Sequence, residues 1–553
     1  MDNQRLFPLL ALLFILFLLW ESWLQFQAQK HPPAPTATAP ATTVQGETGA
    51  AAPGTPAKDI PSQAPTGAVP APTALESGQR IKVVTDIYEA EIDTIGGDLR
   101  RLGLRTYPES LQQPNQPFQL LDDSKTLFFI VQSGLSSSEA PAPNHYARFV
   151  SEQTEYRLQD GQNSLEVKLS WSEGGITVTK SYTFQRGSFA IDLKQRVENG
   201  SAQEWRGWQY RQLQRTQPPS QGGMFSGVYT YTGGVISTPE EKYKKVSFDT
   251  MAKENLNLTV KGGWAAMIQH YFLAALVPEQ EQTDTFYSKV IDNSRFVLGM
   301  LGQPQTIAPD STGEFSTRLY AGPKLQNVLA DVAPHLQLTV DYGILTVIAE
   351  PLFWLLRMIH KVVGNWGWAI IILTVLIKAV FFKLSETSYR SMAQMRNVAP
   401  KINSLKERYG DDKQRLNQAM MELYKKEKIN PLSGCLPIAV QIPVFIALYW
   451  MLLESVELRQ APFMFWIHDL AVKDPYFILP IIMGITMVIQ QKLNPPPPDP
   501  TQAKIMMMLP IVFTFMFLWM PAGLVLYWTV SNILSIAQQY AITKRMGALH
   551  VAT

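Results

Sequence analysis

The sequence predicts a polytopic α-helical membrane protein with an N-terminal anchor helix, a core of five helices, and a large all-β sandwich domain between them. Three observations lead to this prediction. An apolar run opens the chain, residues 80–337 contain short runs of alternating apolar and polar side chains, and long apolar runs dominate the chain after residue 338. Charged residues make up 17% of the 553 residues, below the roughly 25% that is typical of soluble domains.

Composition excludes several classes of function. Lys and Arg number 48 against 46 Asp and Glu, a net charge of +2, which gives no basic surface for specific nucleic-acid binding. The one cysteine, Cys435, excludes an intramolecular disulfide and a multi-cysteine metal cluster. The seven histidines are scattered, and the sequence contains no HExxH, CxxC, GxGxxG or P-loop pattern. Metalloenzymes and nucleotide-dependent enzymes are therefore poor candidates.

Residues 1–27 are predicted to form a transmembrane anchor. The apolar run Leu6–Trp20 extends to Leu24, and Arg5 is the only cation before it. A run of about 19 residues is long enough to span a bilayer. A signal peptide is the alternative, but the flanking charge is weak and no small-x-small cleavage site follows at once. We therefore expect an uncleaved anchor with its N-terminus in the cytoplasm.

Residues 28–79 are predicted to form a disordered linker. Ala, Pro, Thr, Gly and Ser dominate this stretch, and ten prolines lie between His31 and Thr73. Such a segment cannot bury enough apolar surface to offset the entropy lost on ordering. A Pro-rich linker is semi-extended, so it would space a folded domain away from the membrane.

Residues 80–337 are predicted to fold as one β-sandwich. Alternating runs rich in β-branched and aromatic residues recur here and are bounded by Gly, Asn, Asp or Ser, as half-buried antiparallel strands are. Examples are Ile81–Tyr88, Ser164–Trp171, Gly175–Phe184 and Phe189–Val197. Their number favours a sandwich in a single unit, and the sequence does not indicate its ligand.

Residues 338–365 are predicted to contain an amphipathic helix lying in the membrane interface. Apolar residues keep helical spacing from Tyr342 to Val363, but four ionisable residues, Glu350, Arg357, His360 and Lys361, interrupt them. That much charge argues against a span, whereas a polar face opposite an apolar one suits an interfacial position.

Residues 366–541 are predicted to form the helical core, followed by a cytoplasmic tail at 542–553. The five candidate spans are Trp366–Leu384, Leu432–Leu453, Tyr476–Leu493, Ile505–Met520 and Gly523–Tyr540. The stretch Lys383–Asn430 carries eleven Lys or Arg against six Asp or Glu, whereas Val456–Asp474 has only Arg459 and Lys473 as fixed cations. The positive-inside rule then places the first loop in the cytoplasm and the second loop outside.

Lys378 lies within the apolar run Ala369–Phe382 of the first core span. An ionisable group at that depth costs about 2.5–3.5 kcal/mol or more, and it usually faces a wet cavity or a partner. The alternative is that the long side chain extends to the cytoplasmic headgroups. The sequence leaves both possibilities open.

Polar residues form stripes on several of the core helices. Thr374 and Lys378 are four residues apart, as are Thr486 and Gln490, while Trp528, Asn532, Ser535 and Gln539 step by four, three and four. Each set therefore shares one helix face, and Gln441 adds a polar group to the second span. One such stripe could simply hydrogen-bond neighbouring helices. Several stripes and a cation together favour a hydrated cavity open to the cytoplasm.

Residues 385–430 are predicted to form a cytoplasmic helical hairpin. Met392, Met395 and other apolar residues keep helical spacing in its first half, where Pro400 would introduce a kink. Asp411 would cap a second helix that carries Met420. Methionines give a soft apolar surface that accepts varied partners; the alternative is that they only pack the two helices together.

Several motifs of the core resemble the YidC/Oxa/Alb family of membrane protein insertases. These motifs are Gly364–Trp368 (GNWGW), Gly410–Arg415 (GDDKQR), Asn430–Pro437 (NPLSGCLP), Ser455–Phe463 (SVELRQAPF), Trp466–Leu470 (WIHDL) and Pro521–Trp528 (PAGLVLYW). The resemblance covers residues 341–540, and the anchor and β domain resemble the Gram-negative YidC form by architecture and order.

The resemblance implies a fold and a site. Five core helices would enclose a hydrophilic groove that is open to cytoplasm and lipid and closed outside, below a periplasmic β-supersandwich. One basic residue, usually arginine, lies in the groove of the family, and here that position is Lys378. Thr374, Tyr527 and Trp528 match positions of substrate contact. Lysine keeps the charge but lacks the guanidinium fork, so bidentate binding of carboxylates is not expected.

The resemblance also implies function and partners. We expect an insertase and chaperone of the bacterial inner membrane, not an enzyme, with no cofactor and with both termini in the cytoplasm. The partners would be nascent membrane proteins, the ribosome, the SecYEG and SecDF translocon components and membrane lipids. Two alternatives stay open from the sequence: an ion or solute channel or transporter that uses Lys378, and a β domain that acts as a carbohydrate-binding or enzymatic module.

Overall fold

The computed structural model describes residues 75–124, 128–219, 230–410, 412–427, 436–494 and 500–545. The predicted anchor at residues 1–27, the linker up to residue 74, Asp411 and the tail from residue 546 lie outside the described residues. All elements named below belong to the described part.

Twenty β-strands lie between Arg80 and Pro323 of the described residues. They are β1 Arg80–Val84, β2 Tyr88–Asp93, β3 Asp98–Ser110, β4 Gln113–Leu121, β5 Phe129–Ser137, β6 Val150–Ser151, β7 Glu155–Arg157, β8 Ser164–Glu173, β9 Ile176–Gln185, β10 Ala190–Asn199, β11 Trp205–Thr216, β12 Gly233–Ser237, β13 Lys244–Val246, β14 Asn257–Lys261, β15 Trp264–Ile268, β16 Phe272–Val277, β17 Thr283–Ile291, β18 Arg295–Gly302, β19 Gln305–Ile307 and β20 Ser311–Pro323.

The strands form two sheets. The first sheet has eleven strands in the order β14-β17-β18-β11-β5-β3-β2-β1-β7, with β19 on β11 and β4 on β3. The second sheet has nine strands in the order β13-β12-β15-β16-β20-β10-β9-β8-β6. The pairing is antiparallel except between β1 and β7. The predicted all-β sandwich is confirmed.

The burial of these strands follows their sequence. In β10, Ile191, Leu193 and Val197 are buried while Lys194 and Arg196 are exposed, because successive side chains of a strand point to opposite faces. Strands β15 and β16 have no such alternation, since all their residues are buried. Strands covered on both faces lose the alternating pattern, so these two gave no comparable signal in the sequence.

Ten α-helices occur in the described residues. They are α1 Phe248–Lys253, α2 Gln326–Val332, α3 Thr346–Val363, α4 Trp366–Val380, α5 Phe382–Tyr409, α6 Lys413–Lys426, α7 Leu436–Glu454, α8 Ile478–Leu493, α9 Pro500–Phe517 and α10 Ala522–Arg545. One continuous cluster of buried apolar residues runs from the sandwich, through Trp264, to Phe353 of α3 and Leu448 of α7.

The first core helix ends earlier than the sequence predicts. It was expected to reach Leu384, but α4 ends at Val380, and α5 leaves it at an angle of 66°. The break falls at Phe381, whose ψ of 8° is not helical. The kink expected at Pro400 is not the main bend, because α5 continues through Pro400 to Tyr409.

Two further boundaries differ from the sequence prediction. Helix α6 is capped by Asp412, whose side chain accepts from the amides of Gln414 and Arg415 at 3.1 and 3.0 Å, so the expected cap at Asp411 was one residue early. Helix α9 begins at Pro500 rather than at Ile505. Proline is favoured in the first turn of a helix, where its missing N–H leaves no hydrogen bond unmade.

Among the described residues, one helical stretch, Gly343–Val363, is long and apolar enough to cross a membrane. The bent pair α4–α5 would be a second such stretch if the two helices act as one span. Val440–Glu454, Ile478–Leu493 and Ala503–Phe517 are shorter apolar helices. The stretch that the sequence assigned to the interface is thus also apolar enough to span. The assignment of the five spans stays a prediction.

Candidate functional site

The ammonium of Lys378 lies between two helices that are far apart in the sequence. Lys378 is in the last turn of α4, and its Nζ donates to Ser535 Oγ of α10 at 2.8 Å. Ser535 in turn donates to the carbonyl of Ser531 at 2.8 Å. Among the described residues, no carboxylate lies within 4.0 Å of this ammonium. The cation is therefore held by a neutral hydroxyl and its charge is available to another group.

The polar face of α10 also contacts α8 and the residue that ends it. Asn532 donates through Nδ2 to Thr486 Oγ1 of α8 at 3.2 Å, and Gln539 donates through Nε2 to Asn494 Oδ1 at 3.0 Å. In the stripe predicted from the four-three-four spacing, Ser535 thus contacts the cation of α4, while Asn532 and Gln539 contact α8 and its end. We call Lys378, Ser535, Asn532, Thr486 and Gln539 the polar cluster.

Other predicted site residues occupy different surroundings. Thr374 is buried, at 1% exposure, and its hydroxyl donates to Ile370 of its own helix at 2.7 Å. Gln441 and Gln490 are half-buried. Gln490 lies one turn from Thr486 on α8, so it shares that helix face with the polar cluster.

Trp528 and Tyr527 are held among aromatic rings rather than among polar groups. The Trp528 ring centroid lies 4.3 Å from that of Phe445 on α7 and 5.0 Å from that of Phe517 on α9. Tyr527 is buried, and its ring stacks on Phe445 at 6.3 Å. The two residues therefore hold α10 against α7 and α9, which the spacing of the stripe alone did not indicate.

A loop closes one end of the helices next to the β domain. We call residues 455–474, which join α7 to α8, the cap loop. The amides of Ala522 and Gly523 at the start of α10 donate to Val472 and Leu470 of the cap loop at 2.8 and 2.9 Å. Asn365, before α4, donates through Nδ2 to Phe463 O at 3.0 Å. The cap loop is thus hydrogen-bonded to the ends of two core helices.

Asp474 fixes the end of the cap loop. Its carboxylate is fully buried and accepts from Trp466 Nε1 at 3.0 Å, from Tyr476 N at 3.0 Å and from Leu479 N at 2.7 Å. Sequence reasoning missed this residue, although an acidic residue shortly before an apolar helix is a recognised start signal. The contact between Asn365 and Phe463 was also not predicted, because no local sequence pattern indicates that these two residues meet.

Burial raises the pKa of two acidic side chains in the cap loop, Glu457 and Asp469. Burial raises the pKa of Glu457 to about 7, while its own backbone hydrogen bond and Arg357 act in the opposite direction. Burial also raises the pKa of Asp469, which backbone hydrogen bonds from Ala471 and Gln460 partly offset. The loop thus carries less negative charge near neutral pH than its composition suggests.

The hairpin of α5 and α6 has a small apolar core of its own. Val398, Ile402 and Tyr424 are buried in it, and Met395 and Met420 pack partly buried around them. Met392 is half-buried and lies outside this cluster. Lys401 and Glu427 add an ion pair between the helices at 2.6 Å. Two of the three predicted contact methionines therefore also hold the hairpin together.

Comparison with known proteins identifies the family. The family model described as YidC periplasmic domain matches residues 80–355, and the one described as 60Kd inner membrane protein matches residues 358–548. The chain is 51% identical to the membrane protein insertase YidC of Nitrosococcus oceani and 52% identical to that of Methylococcus capsulatus, in each case over 99% of both chains. This chain belongs to the YidC family of membrane protein insertases. A third YidC insertase, from Thioalkalivibrio sulfidiphilus, is 53% identical, again over 99% of both chains.

Membership in the YidC family confirms the resemblance seen in the core motifs and extends it to the β domain. The chain is an inner-membrane insertase with a large β-sandwich domain and a helical C-terminal region. The family is not one of classical enzymes, and an ion or solute channel is not favoured. The positions of the substrate contacts stay predictions.

Proposed function

We propose that this YidC protein inserts nascent membrane proteins through a hydrophilic groove built around the polar cluster. The single observation that supports the proposal most is the Lys378–Ser535 hydrogen bond, because it directs a cation toward the polar face of α10. Asn532 and Thr486 extend that polar face to α8. Groups that can hydrogen-bond water at this depth would lower the desolvation cost of a polar segment that must cross.

The groove would be open to the cytoplasm and closed outside. The polar cluster lies toward the ends of α4 and α10 that adjoin the hairpin, where Gln538 donates through Nε2 to Phe382 O at 3.1 Å. The cap loop lies at the other end, hydrogen-bonded to Ala522 and Gly523. A polar segment would therefore enter from the hairpin side, and the apolar helices of the client would leave into lipid.

Lys378 would attract acidic residues in the translocated segments of clients. An ammonium is a compact point charge that acts at a distance, whereas a bidentate contact needs a guanidinium. Ser535 is a neutral partner, so a client carboxylate can replace it without breaking an ion pair. The role we propose is transient attraction rather than tight binding.

The topology that we propose places both termini and the hairpin in the cytoplasm and the β domain in the periplasm, in agreement with the positive-inside rule. The hairpin would receive clients from the ribosome, and Met392, Met395 and Met420 would offer them an adaptable apolar surface. Some clients would be inserted with the SecYEG and SecDF translocon components, and others by this protein alone.

Site-specific photocrosslinking to a stalled nascent membrane protein tests the groove. A photoreactive residue at Gln490 or Gln441, both half-buried, should crosslink to the client in reconstituted vesicles. Ile485 is a matched control, because it is on the same helix as Gln490 but on a different face, and it is 55% exposed. Equal crosslinking from Ile485 and Gln490, or none from Gln490 in a folded protein, would contradict the groove.

A further inference from the structure

A buried ion pair joins the β domain to the helical region. Lys324 directly follows β20, the last strand of the sandwich, and Glu454 is the last residue of α7. The Nζ of Lys324 lies 3.4 Å from Glu454 Oε2, and the two side chains are only 2% and 6% exposed. The pair spans 130 residues of sequence. It is therefore a contact between domains, shielded from water.

Further hydrogen bonds join the β domain to the end of α7 and to the start of the cap loop, close to this pair. His270, between β15 and β16, bonds through Nε2 to Leu453 O at 2.9 Å. From the cap loop, Arg459 donates to Pro108 O at 2.8 Å and Gln460 donates to the same carbonyl at 3.0 Å. The β domain thus holds the end of α7 and the start of the cap loop together.

Aromatic rings complete the contact. The Arg459 guanidinium lies 5.5 Å from the ring centroids of both Phe118 and Phe272, which stack on each other at 4.2 Å. Burial lowers the pKa of Arg459, and nearby acidic and tyrosine side chains, Asp469 first, counteract the shift. The cap loop therefore inserts a cation into an aromatic site of the first and second sheets.

The energetics of the buried pair differ from those of a surface pair. Two charges taken out of water are costly, and their attraction roughly compensates for that cost. Removing one partner leaves the other charge buried and unpaired, which is strongly destabilising, whereas removing both is often tolerated. Lys261 and Glu281 form a comparison pair at 2.6 Å elsewhere in the β domain, with side chains 61% and 90% exposed. Such exposed pairs contribute little.

We propose that the Lys324–Glu454 pair docks the β domain onto the end of α7 and so holds the cap loop closed. The β domain and the cap loop then move as one body, instead of the β domain acting as a module that is free of the core. The proposal rests on contacts alone and not on the groove. Its failure would leave the proposed insertion route untouched.

Hydrogen exchange of the full chain in lipid nanodiscs tests the docking. The reporters are the amides of Leu470, Ala522 and Gly523, whose hydrogen bonds close the cap loop. Lys324→Met and Glu454→Gln should each accelerate exchange of these amides about tenfold or more, because each leaves one buried charge unpaired. The double variant Lys324→Met/Glu454→Gln should return exchange to within about threefold of the unsubstituted protein.

Two controls keep the test decisive. Lys261→Met breaks the exposed pair and should leave the reporter amides unchanged, while amides of β10 report whether each variant is folded. The charge-reversed double variant Lys324→Glu/Glu454→Lys restores a pair of opposite charges. It should therefore restore the protection of the reporter amides even if a single variant does not fold. Unchanged exchange in folded Lys324→Met, or no recovery in either double variant, would overturn the docking role.

Discussion

The ring of Phe463 lies directly against Gly367: a Cβ added at Gly367 would stand 2.0 Å from Phe463 Cδ2. Phe463 belongs to the cap loop and Gly367 to the first turn of α4, where Trp368 also meets Phe463 edge to face at 5.8 Å. Real Cβ atoms do not approach other atoms so closely, so the absence of a side chain at Gly367 lets the cap loop sit on α4.

Gly367→Ala should therefore destabilise the closed cap loop. Overpacking of this kind costs about 1–3 kcal/mol, and thermal unfolding of the purified protein in lipid nanodiscs would measure it. The double variant Gly367→Ala/Phe463→Ala removes the clashing ring and should recover part of the loss. If the double variant were less stable than the sum of the single effects predicts, the steric explanation would be wrong.

The charge of Lys378 should matter more than its shape. Lys378→Arg should retain insertion, whereas Lys378→Ala should slow insertion about tenfold for clients with acidic translocated segments, an effect of about 1.4 kcal/mol on the barrier. Rates of insertion into reconstituted vesicles would measure both. Clients with neutral segments are the matched control. If the Lys378→Glu variant inserted clients with acidic translocated segments at the normal rate, the electrostatic role of Lys378 would be wrong.

Asp474 should be essential for the cap loop to stay ordered. Asp474→Ala leaves three donors without an acceptor in a buried site, and unsatisfied buried groups cost about 1–3 kcal/mol each. We expect a loss of at least about 2 kcal/mol in a denaturant titration. Asp469→Asn is the comparison, because Asp469 accepts from backbone amides of the same loop, including Ala471 N at 2.8 Å, and asparagine keeps a side-chain acceptor. Equal effects of the two variants would contradict the role of Asp474.

The contact of the β domain with α7 should weaken in acid through His270. Burial, followed by the Lys324 ammonium, lowers the pKa of His270 to about 4 from the usual 6.5. Between these values the unfolded chain binds a proton that the folded chain does not, so stability is full above pH 6.5 and decreases as the pH falls toward 4. The total effect is at most about 3 kcal/mol.

His270→Gln tests this, because glutamine can donate to Leu453 O but does not titrate. Thermal unfolding should show a smaller loss of stability between pH 6.5 and 4 in this variant than in the unsubstituted protein. Identical pH profiles for the two proteins would show that His270 is not the group responsible.

The strands and the polar helix faces of this protein could be predicted because their patterns lie within short stretches of sequence. The run Ser164–Trp171 falls in β8, and the run Gly175–Phe184 begins one residue before β9, since alternation is visible wherever one face of a strand is exposed. Strands β15 and β16 gave no comparable pattern, because both of their faces are covered. The spacing of Asn532, Ser535 and Gln539 likewise marks one face of a helix.

The contacts between distant residues could not be predicted in the same way. Lys378 and Ser535 are 157 residues apart, and the same stripe would be compatible with several neighbouring helices. The break at Phe381 follows no proline or glycine, so no local signal marks it. Trp528 belongs to the predicted stripe, but its neighbours are aromatic residues of α7 and α9, and only the packing of the helices reveals this.

The small core of the hairpin makes it a separate opening unit. Three buried side chains, Val398, Ile402 and Tyr424, hold α5 and α6 together, whereas the sandwich and the core helices share one large cluster. Segments with few buried contacts open at a much lower free energy than the whole fold. In limited proteolysis of the purified protein, the first cleavage should therefore fall between α5 and α6, while the rest of the chain stays intact. Opening of the hairpin therefore leaves the sandwich and the core helices packed, so under the proposed function the hairpin would adapt to different clients without disturbing them.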